Sequence, residues 1–197
     1  MTAFRSTARQ LTVAARALAL FTLVLGIAYP LLATAAAQAL PRQAGGSPAA
    51  VDGTVIGSTL IGQSFTDSSG AALPEFFQSR PGTYDGAASG GSNLGPASTE
   101  LADAVAERRR IVAALESVPS EQVPADAVTA SASGLDPHIS PEYAYLQVPR
   151  VAQVRELPEA AVRGLVDAAV AGRAAGFLGE PTVNVLELNL ALLELDT

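Results

Sequence analysis

The stretch ALALFTLVLGIAYPLLATAAAQALP, residues 17–41, decides the architecture of this chain because it contains no charged side chain. A transmembrane helix needs about 20 consecutive, mainly apolar residues to cross the hydrocarbon core of a bilayer. The 25 uncharged positions between Arg16 and Arg42 exceed that length. We therefore predict a membrane-spanning helix over residues 17–37, with a kink or an early end at Pro30, since proline lacks the N–H that a helix interior requires.

The distribution of arginine around this stretch predicts its orientation. Arg5, Arg9 and Arg16 precede it, whereas only Arg42 follows it closely. Positive charge is enriched on the cytoplasmic side of membrane spans. We therefore expect residues 1–16 in the cytoplasm and residues 38–197 outside, with the chain crossing the inner or plasma membrane of the cell once.

A cleaved signal peptide is the alternative interpretation of the same N-terminus. Ala33-Thr34-Ala35 and Ala35-Ala36-Ala37 both resemble the small-residue sites at which signal peptides are cut. The apolar stretch is longer than the core of roughly 7–15 residues typical of a signal peptide, which favours an anchor. Cleavage would instead release a secreted, soluble binding or hydrolytic domain, and these residues alone leave both interpretations open.

Composition excludes several kinds of chemistry. The chain has no cysteine, which excludes disulfides and thiolate metal sites, and its sole histidine, His138, is too few for a histidine-rich metal site. It also has no lysine, which excludes a Walker A loop, because the lysine of that loop binds the phosphates. The net charge of −7 argues against general nucleic-acid binding. We therefore predict no catalytic residue and no metal ligand in this chain.

After the apolar stretch, the sequence changes from strand-like to helical. Residues 54–65 combine β-branched residues with glycine, which predicts short, irregular strands, and residues 78–97 are too rich in Gly and Ser for regular structure. Helices are predicted from Ser98 or Thr99 to about residue 116, from Ser140 until Pro149 breaks or kinks the helix, and from Pro158 to about residues 172–176. Residues 182–195 indicate a short strand that runs into a helix. This order predicts an α+β external domain preceded by one transmembrane helix.

Six segments along the chain form a characteristic set: GIAYPLL (26–32), GSTLIGQSF (57–65), SGGSNL (89–94), VTASASGLDPHISP (128–141), QVPRVA (147–152) and VNVLELNLAL (183–192). Their order and spacing, from residue 26 to residue 192, resemble those of the C-chain family of the Kdp potassium-transporting P-type ATPase over nearly the whole chain. The departures are local: Gly82 follows Arg80-Pro81 where the family usually has serine, Gly46 stands where it tends to have asparagine, and the tail after Leu192 is unusual.

This resemblance implies a non-catalytic subunit that is needed for the assembly, stability and activity of an ATP-driven potassium-uptake complex. Its partners would be a channel-like potassium-binding subunit, a P-type ATPase subunit and a small membrane peptide. The complex would use ATP, Mg²⁺ and K⁺, none of which we expect this chain to bind, although it is also expected to raise the ATP affinity of the pump. The resemblance also favours a retained membrane span over a cleaved signal peptide.

Two irregular segments, Ser89–Asn93 and Thr129–Ser140, are predicted to contact the other subunits, because polar loops can adapt to a partner surface. An alternative is that their small residues only satisfy the hydrogen bonds of their own turns. Gln147 and Arg150 are predicted either to cross the interface or to cap a local helix end. The predicted contact residues are Ser89, Gly90, Gly91, Ser92, Asn93, Ser133, Gly134, Asp136, His138, Gln147 and Arg150.

Overall fold

The N-terminal unit of the computed structural model is almost entirely helical. The structure describes residues 2–195, with side chains from residue 7 onward, and these residues divide into two units between Ser47 and Pro48. The described residues include one helical stretch, Thr7–Ala37, that is long and apolar enough to cross a membrane. The elements of this unit are α1 (Thr2–Leu23), a π-helical turn (Val24–Ala28), α2 (Tyr29–Ala37) and α3 (Pro41–Ala44).

Pro30 does not end this helix, so the early end considered from the sequence is wrong. The helix continues to Ala37, and the turn directly before the proline, Val24–Ala28, is π-helical. Proline cannot donate a hydrogen bond, and its ring crowds the carbonyl four residues earlier, here that of Gly26. A wider π turn is one of the recognised ways in which a helix accommodates such a disturbance.

The second unit combines short antiparallel strands with four longer helices, so the mixed helix and strand content predicted from the sequence is confirmed. Ser98 caps α4, and its Oγ accepts a hydrogen bond from the N–H of Leu101 at 3.3 Å. Residues 59–98 contain neither a helix nor a named strand. The elements are β1 (Pro48–Val51), β2 (Thr54–Ser58), α4 (Thr99–Glu116), two 3₁₀ turns (Ser120–Gln122 and Ala125–Ala127), β3 (His138–Ile139), α5 (Pro141–Val154), α6 (Glu159–Ala169), β4 (Val170–Ala171), β5 (Thr182–Asn184) and α7 (Val185–Leu195).

Two predicted boundaries in this unit are wrong. Helix α5 runs through Pro149 to Val154 without a break, because Val148, Val151 and Ala152 on either side of the proline are buried in the core. Packing of that apolar face outweighs the hydrogen bond that the proline cannot donate. Helix α6 ends at Ala169 rather than near residue 172, because Val170 pairs with Val183 in the sheet.

Strand β5 lies at the centre of a three-stranded antiparallel sheet in the order β3-β5-β4. Helices α5, α6 and α7 all contact β5, and α5 and α7 each pack against α6. The strand and helix predicted for residues 182–195 are confirmed, and the side chain of Asn184 caps α7 by accepting a hydrogen bond from the N–H of Glu187 at 3.2 Å. The sheet and these three helices enclose the core, which includes Ile139, Tyr143, Val148, Val151, Val162, Val166, Val183, Leu188 and Leu192.

Candidate functional site: two packed loops and a buried segment

Two irregular loops pack against each other on the second unit. We call residues 79–97 the first loop and residues 129–138 the second loop. The N–H of Gly90 donates to the carbonyl of Ser133 at 2.8 Å, and the Oγ of Ser89 donates to the same carbonyl at 3.1 Å. The N–H of Tyr84 donates to the carbonyl of Gly134 at 3.1 Å. The structure therefore joins residues such as Ser89 and Ser133, which lie 44 positions apart in the sequence.

Glycine is required where these two backbones meet. A Cβ atom on Gly91 would lie 3.0 Å from the carbonyl oxygen of Ala132, closer than most side chains come. Gly134 has a φ of +67°, in the left-handed region that glycine adopts without strain, and its Cβ would lie 3.0 Å from the carbonyl oxygen of Gly90. The glycines of both loops thus permit a close approach that side chains would prevent.

Arg80 connects the two loops through its side chain. Its Nη1 lies 3.3 Å from Oδ2 of Asp136, and its Nε donates to the carbonyl of Thr129 at 3.3 Å. The hydroxyl of Tyr84 donates to the carbonyl of Arg80 at 2.7 Å, and burial raises the pKa of Tyr84, which keeps this proton in place. The ion pair is partly exposed, so we attribute to it a role in geometry rather than a large stabilisation.

The side chain of Asp136 organises a turn in the Asp136-Pro137-His138 segment. Oδ1 of Asp136 accepts a hydrogen bond from the N–H of His138 at 3.0 Å and lies 3.1 Å from its Nδ1. An aspartate side chain that bonds the backbone two residues later forms an Asx turn. The side chain of His138 remains 43% exposed, so its imidazole is open to a neighbour as well as to Asp136.

Nine of the predicted contact residues therefore belong to one surface region. Ser89, Ser92, Asn93 and Ser133 are exposed, whereas Gly134 is buried beneath them. A cleft of about 340 Å³ opens between the loops and includes Arg108 of α4 in its lining. The nine residues are Ser89, Gly90, Gly91, Ser92, Asn93, Ser133, Gly134, Asp136 and His138. This region offers a partner hydroxyl groups and backbone polar groups on a base held by glycine contacts.

Gln147 and Arg150, the two remaining predicted contact residues, lie in the interior on α5. Gln147 is fully buried, and Arg150 is 8% exposed. Oε1 of Gln147 accepts from the N–H of Gln78 at 2.6 Å, and its Nε2 donates to the carbonyl of Gln78 at 3.1 Å. Their polar atoms are thus bonded inside the chain, and the interface contact suggested for them stays a prediction.

Arg150 joins α4 to the segment that precedes the first loop. Its Nε donates to both carboxylate oxygens of Glu116 at 3.0 Å, and its Nη2 donates to Oε1 of Gln147 at 2.9 Å. Its Nη1 donates to the carbonyls of Phe76, at 3.0 Å, and of Pro74. Burial raises the pKa of Glu116 more than the Arg150 guanidinium lowers it. The network therefore contains a carboxylate that is costly to ionise.

Asn189 was not singled out from the sequence, although it completes the same network from α7. Its Oδ1 accepts from the N–H of Phe77 at 2.9 Å, and its Nδ2 donates to the carbonyl of Phe77 at 2.9 Å. Asn189 is 2% exposed and lies among the buried residues of α7. A polar residue in the apolar stripe of a helix was the available signal, because buried amides must find hydrogen-bond partners.

The described residues include no group of three or more His, Asp or Glu side chains placed to hold a metal ion. The expectation that this chain binds no ATP, Mg²⁺ or K⁺ stays a prediction. Among the same residues, every buried side-chain nitrogen or oxygen has a hydrogen-bond partner. The buried network is therefore internally complete.

Comparison with known proteins identifies the family. Residues 11–194 match the model of the K⁺-transporting ATPase c chain, KdpC. The chain is 54% identical to the potassium-transporting ATPase KdpC subunit of Kineococcus radiotolerans over 172 residues, which cover 85% of each chain. It is 53% identical to that of Sorangium cellulosum over 173 residues, covering 85% of this chain and 88% of the relative. A match to the protein of Methylobacterium nodulans shows 51% identity over 186 residues, covering 88% and 91%. The chain therefore belongs to the KdpC family, the c chains of K⁺-transporting ATPases.

Proposed function

We propose that this chain is a non-catalytic subunit that assembles and stabilises a potassium-uptake complex and supports its activity. Its partners in this proposal are a channel-like potassium-binding subunit, a P-type ATPase subunit and a small membrane peptide. ATP would be hydrolysed on the ATPase subunit. The family match over residues 11–194, which includes the apolar helix, is the observation that carries the proposal.

The proposed topology puts residues 1–16 in the cytoplasm, a span at residues 17–37, and residues 38–197 outside as one external domain. The excess of arginine before the span supports this orientation. The external domain would then lie over the outer face of the channel-like subunit, while the span contacts the complex within the bilayer. Any effect on ATP affinity would be allosteric, because ATP is cytoplasmic and only about 16 residues of this chain would be on that side.

The surface formed by the first and second loops is the proposed contact with the partner subunits. Exposed hydroxyls on Ser89, Ser92 and Ser133 can donate and accept hydrogen bonds across an interface. The glycine contacts beneath them hold the two backbones close together, so the loops lose little conformational entropy on binding. Pre-organisation of this kind favours association without a large apolar surface.

Affinity purification from detergent-solubilised membranes of potassium-starved cells tests the proposal. We expect the tagged chain to recover a P-type ATPase subunit and a channel-like potassium subunit in near-equal amounts. Recovery of the chain alone in the soluble fraction, without its first ~35 residues, would overturn it and support the secreted domain. That alternative is not favoured, because the family match begins at residue 11 and includes the apolar helix.

A further inference from the structure

The segment Pro74–Arg80, which we call the tether segment, has neither helical nor strand structure, yet its centre is buried. Phe77 is fully buried, and Gln78 is 8% exposed. Buried backbone groups must be hydrogen-bonded, because an unpaired N–H or C=O away from water is costly. Since this segment forms no helix or strand, its backbone hydrogen-bond partners must be provided by other parts of the chain.

These partners are side chains of α5, of α7 and of Arg155, which directly follows α5. The amides of Gln147 and Asn189 each bind both backbone groups of one residue, Gln78 and Phe77 respectively. Arg150 binds the carbonyl of Phe76, and the Nε of Arg155 donates to the carbonyl of Glu75 at 2.6 Å. The side chains thus replace a neighbouring strand and fix the position of the tether segment residue by residue.

The C-terminal end of the same segment holds the two loops together. Oγ of Ser79 donates to the carbonyl of Gln63 at 2.8 Å, and Arg80 binds both Asp136 and the carbonyl of Thr129. The hydrogen bonds of α5 with Gln78 and those of Arg80 with the second loop are therefore linked by the covalent backbone of residues 78–80. We expect a shift of Gln78 to move Arg80 relative to Asp136.

We propose that Gln147 and Arg150 are positioning residues, which act through the tether segment to set the geometry of the loop surface that binds the partner subunits. This inference rests on the proposed function of that surface, and it gives the two residues a role other than direct contact. Because both side chains are buried, the geometry supports an effect on partner binding through the tether segment and not through direct contact.

The test compares variants of the full-length chain in the detergent-solubilised complex. Gln147→Leu keeps a similar volume but removes both bonds to Gln78, and Arg150→Lys keeps the charge near Glu116 but provides fewer donors to the tether segment. Val166→Ala is the control, because Val166 is fully buried on α6 and makes no hydrogen bond to the tether segment. The unfolding midpoint of each variant is measured first, to find conditions in which all variants are equally stable. The amount of partner subunit retained per tagged chain is then measured under those conditions.

We expect Gln147→Leu and Arg150→Lys to reduce partner retention at least about fivefold while Val166→Ala leaves it unchanged, a size typical of coupling between sites. In a chain that already carries Arg80→Gln, Gln147→Leu should reduce partner retention little further, because the contact between residue 80 and Asp136 is already lost. The inference would be overturned if Gln147→Leu, Arg150→Lys and Val166→Ala reduced partner retention equally at matched stability. It would also be overturned if the effects of Arg80→Gln and Gln147→Leu on retention were additive in the double variant.

Gly91→Val separates this inference from the proposal on which it rests. The added side chain would strike the carbonyl of Ala132 at the loop surface itself, and we expect it to reduce retention. If Gly91→Val disrupts the complex and Gln147→Leu does not, the positioning role fails and the loop surface stands. If neither variant changes retention, the loop surface is not the contact, and the positioning role fails with it.

Discussion

Glu116 and Arg150 form an ion pair in which Nε of the arginine lies 3.0 Å from both carboxylate oxygens, with the two side chains 0% and 7% exposed. The pair joins the last residue of α4 to the middle of α5. Burial nevertheless raises the pKa of Glu116 above its usual value of 4.5, because desolvation outweighs the hydrogen bond and charge of Arg150. Ionisation of Glu116 therefore costs free energy in the folded chain, and this cost appears only when the pH is high enough to ionise the carboxyl group.

The first prediction concerns this pH dependence. A group whose pKa is raised by folding contributes stability that is fully present below the unfolded pKa and is lost as the pH rises through the folded pKa. We expect the thermal midpoint of the full-length chain in detergent to fall relative to that of Glu116→Gln as the pH is raised from about 4 to about 7. Glu121→Gln, at an exposed position, is the control. A wild-type midpoint that instead rises relative to Glu116→Gln would mean that the attraction of Arg150 outweighs desolvation.

The second prediction concerns the reciprocal hydrogen bonds between Asn189 and Phe77. Asn189→Leu leaves a buried N–H and a buried carbonyl without partners, which we expect to reduce the free energy of unfolding by about 3 kcal/mol. Chemical denaturation of the full-length chain in detergent measures this loss. Gln153→Leu makes a similar change at an exposed position of α5 and should be close to neutral. Equal effects of the two substitutions would contradict the structural role of Asn189.

The third prediction concerns the close packing of Gly62 beneath the loops. A Cβ at this position would lie 2.4 Å from a ring carbon of Tyr84 and 2.8 Å from the carbonyl oxygen of Asp136. Gly62→Ala should therefore destabilise the chain by about 1–3 kcal/mol, the usual range for overpacking, and should also weaken partner retention. Gly172→Ala is the matched control, since Gly172 is exposed outside both loops and nothing lies within 4 Å of its added Cβ. A stable Gly62→Ala variant with unchanged retention would show that the loops tolerate displacement.

The fourth prediction concerns topology and uses the absence of cysteine in the chain. Single cysteines at Thr7 and at Glu121, an exposed position outside both loops, carry no background labelling, because no native thiol competes. We expect a membrane-impermeant maleimide to label Glu121→Cys in intact cells and to label Thr7→Cys only after the membrane is opened. Labelling in the reverse order would invert the proposed orientation, whereas labelling of both variants in intact cells would argue against a retained span.

Local chemistry made much of the fold predictable from the sequence. Ser98 and Ser140 cap α4 and α5, and Asn184 caps α7, because these residues accept hydrogen bonds from the first turn of a helix. Pro149 misled the prediction of α5, since burial of the helix face around it decides more than the local preference of proline. Val170 belongs to a strand and not to α6 because it pairs with Val183. The local pattern around Val170 could not show this pairing, because Val183 belongs to a later segment of the chain.

The site was predictable only in part, for the same physical reason. The composition of the two loops marked Ser89–Asn93 and Thr129–Ser140 as irregular, polar segments, but it could not show that the N–H of Gly90 donates to the carbonyl of Ser133. The burial of Gln147 and Arg150 depends on residues 74–78, which lie about 70 positions earlier in the sequence. Helical spacing puts these two side chains on a face of α5 without showing what covers that face.

The hydrogen bonds of the tether segment also constrain the order in which the chain can mature. Phe77 and its partner Asn189 are separated by 112 positions, so their bonds cannot form until the chain has been synthesised as far as residue 189. At a synthesis rate of about 5–20 residues per second, on the order of 6–20 seconds pass between the synthesis of Phe77 and that of Asn189. The buried backbone of the tether segment must remain solvated during that interval. Formation of α7 thus completes the hydrogen bonds of the tether segment, and a chain truncated before residue 189 would carry every loop residue without the bonds that Asn189 makes to Phe77.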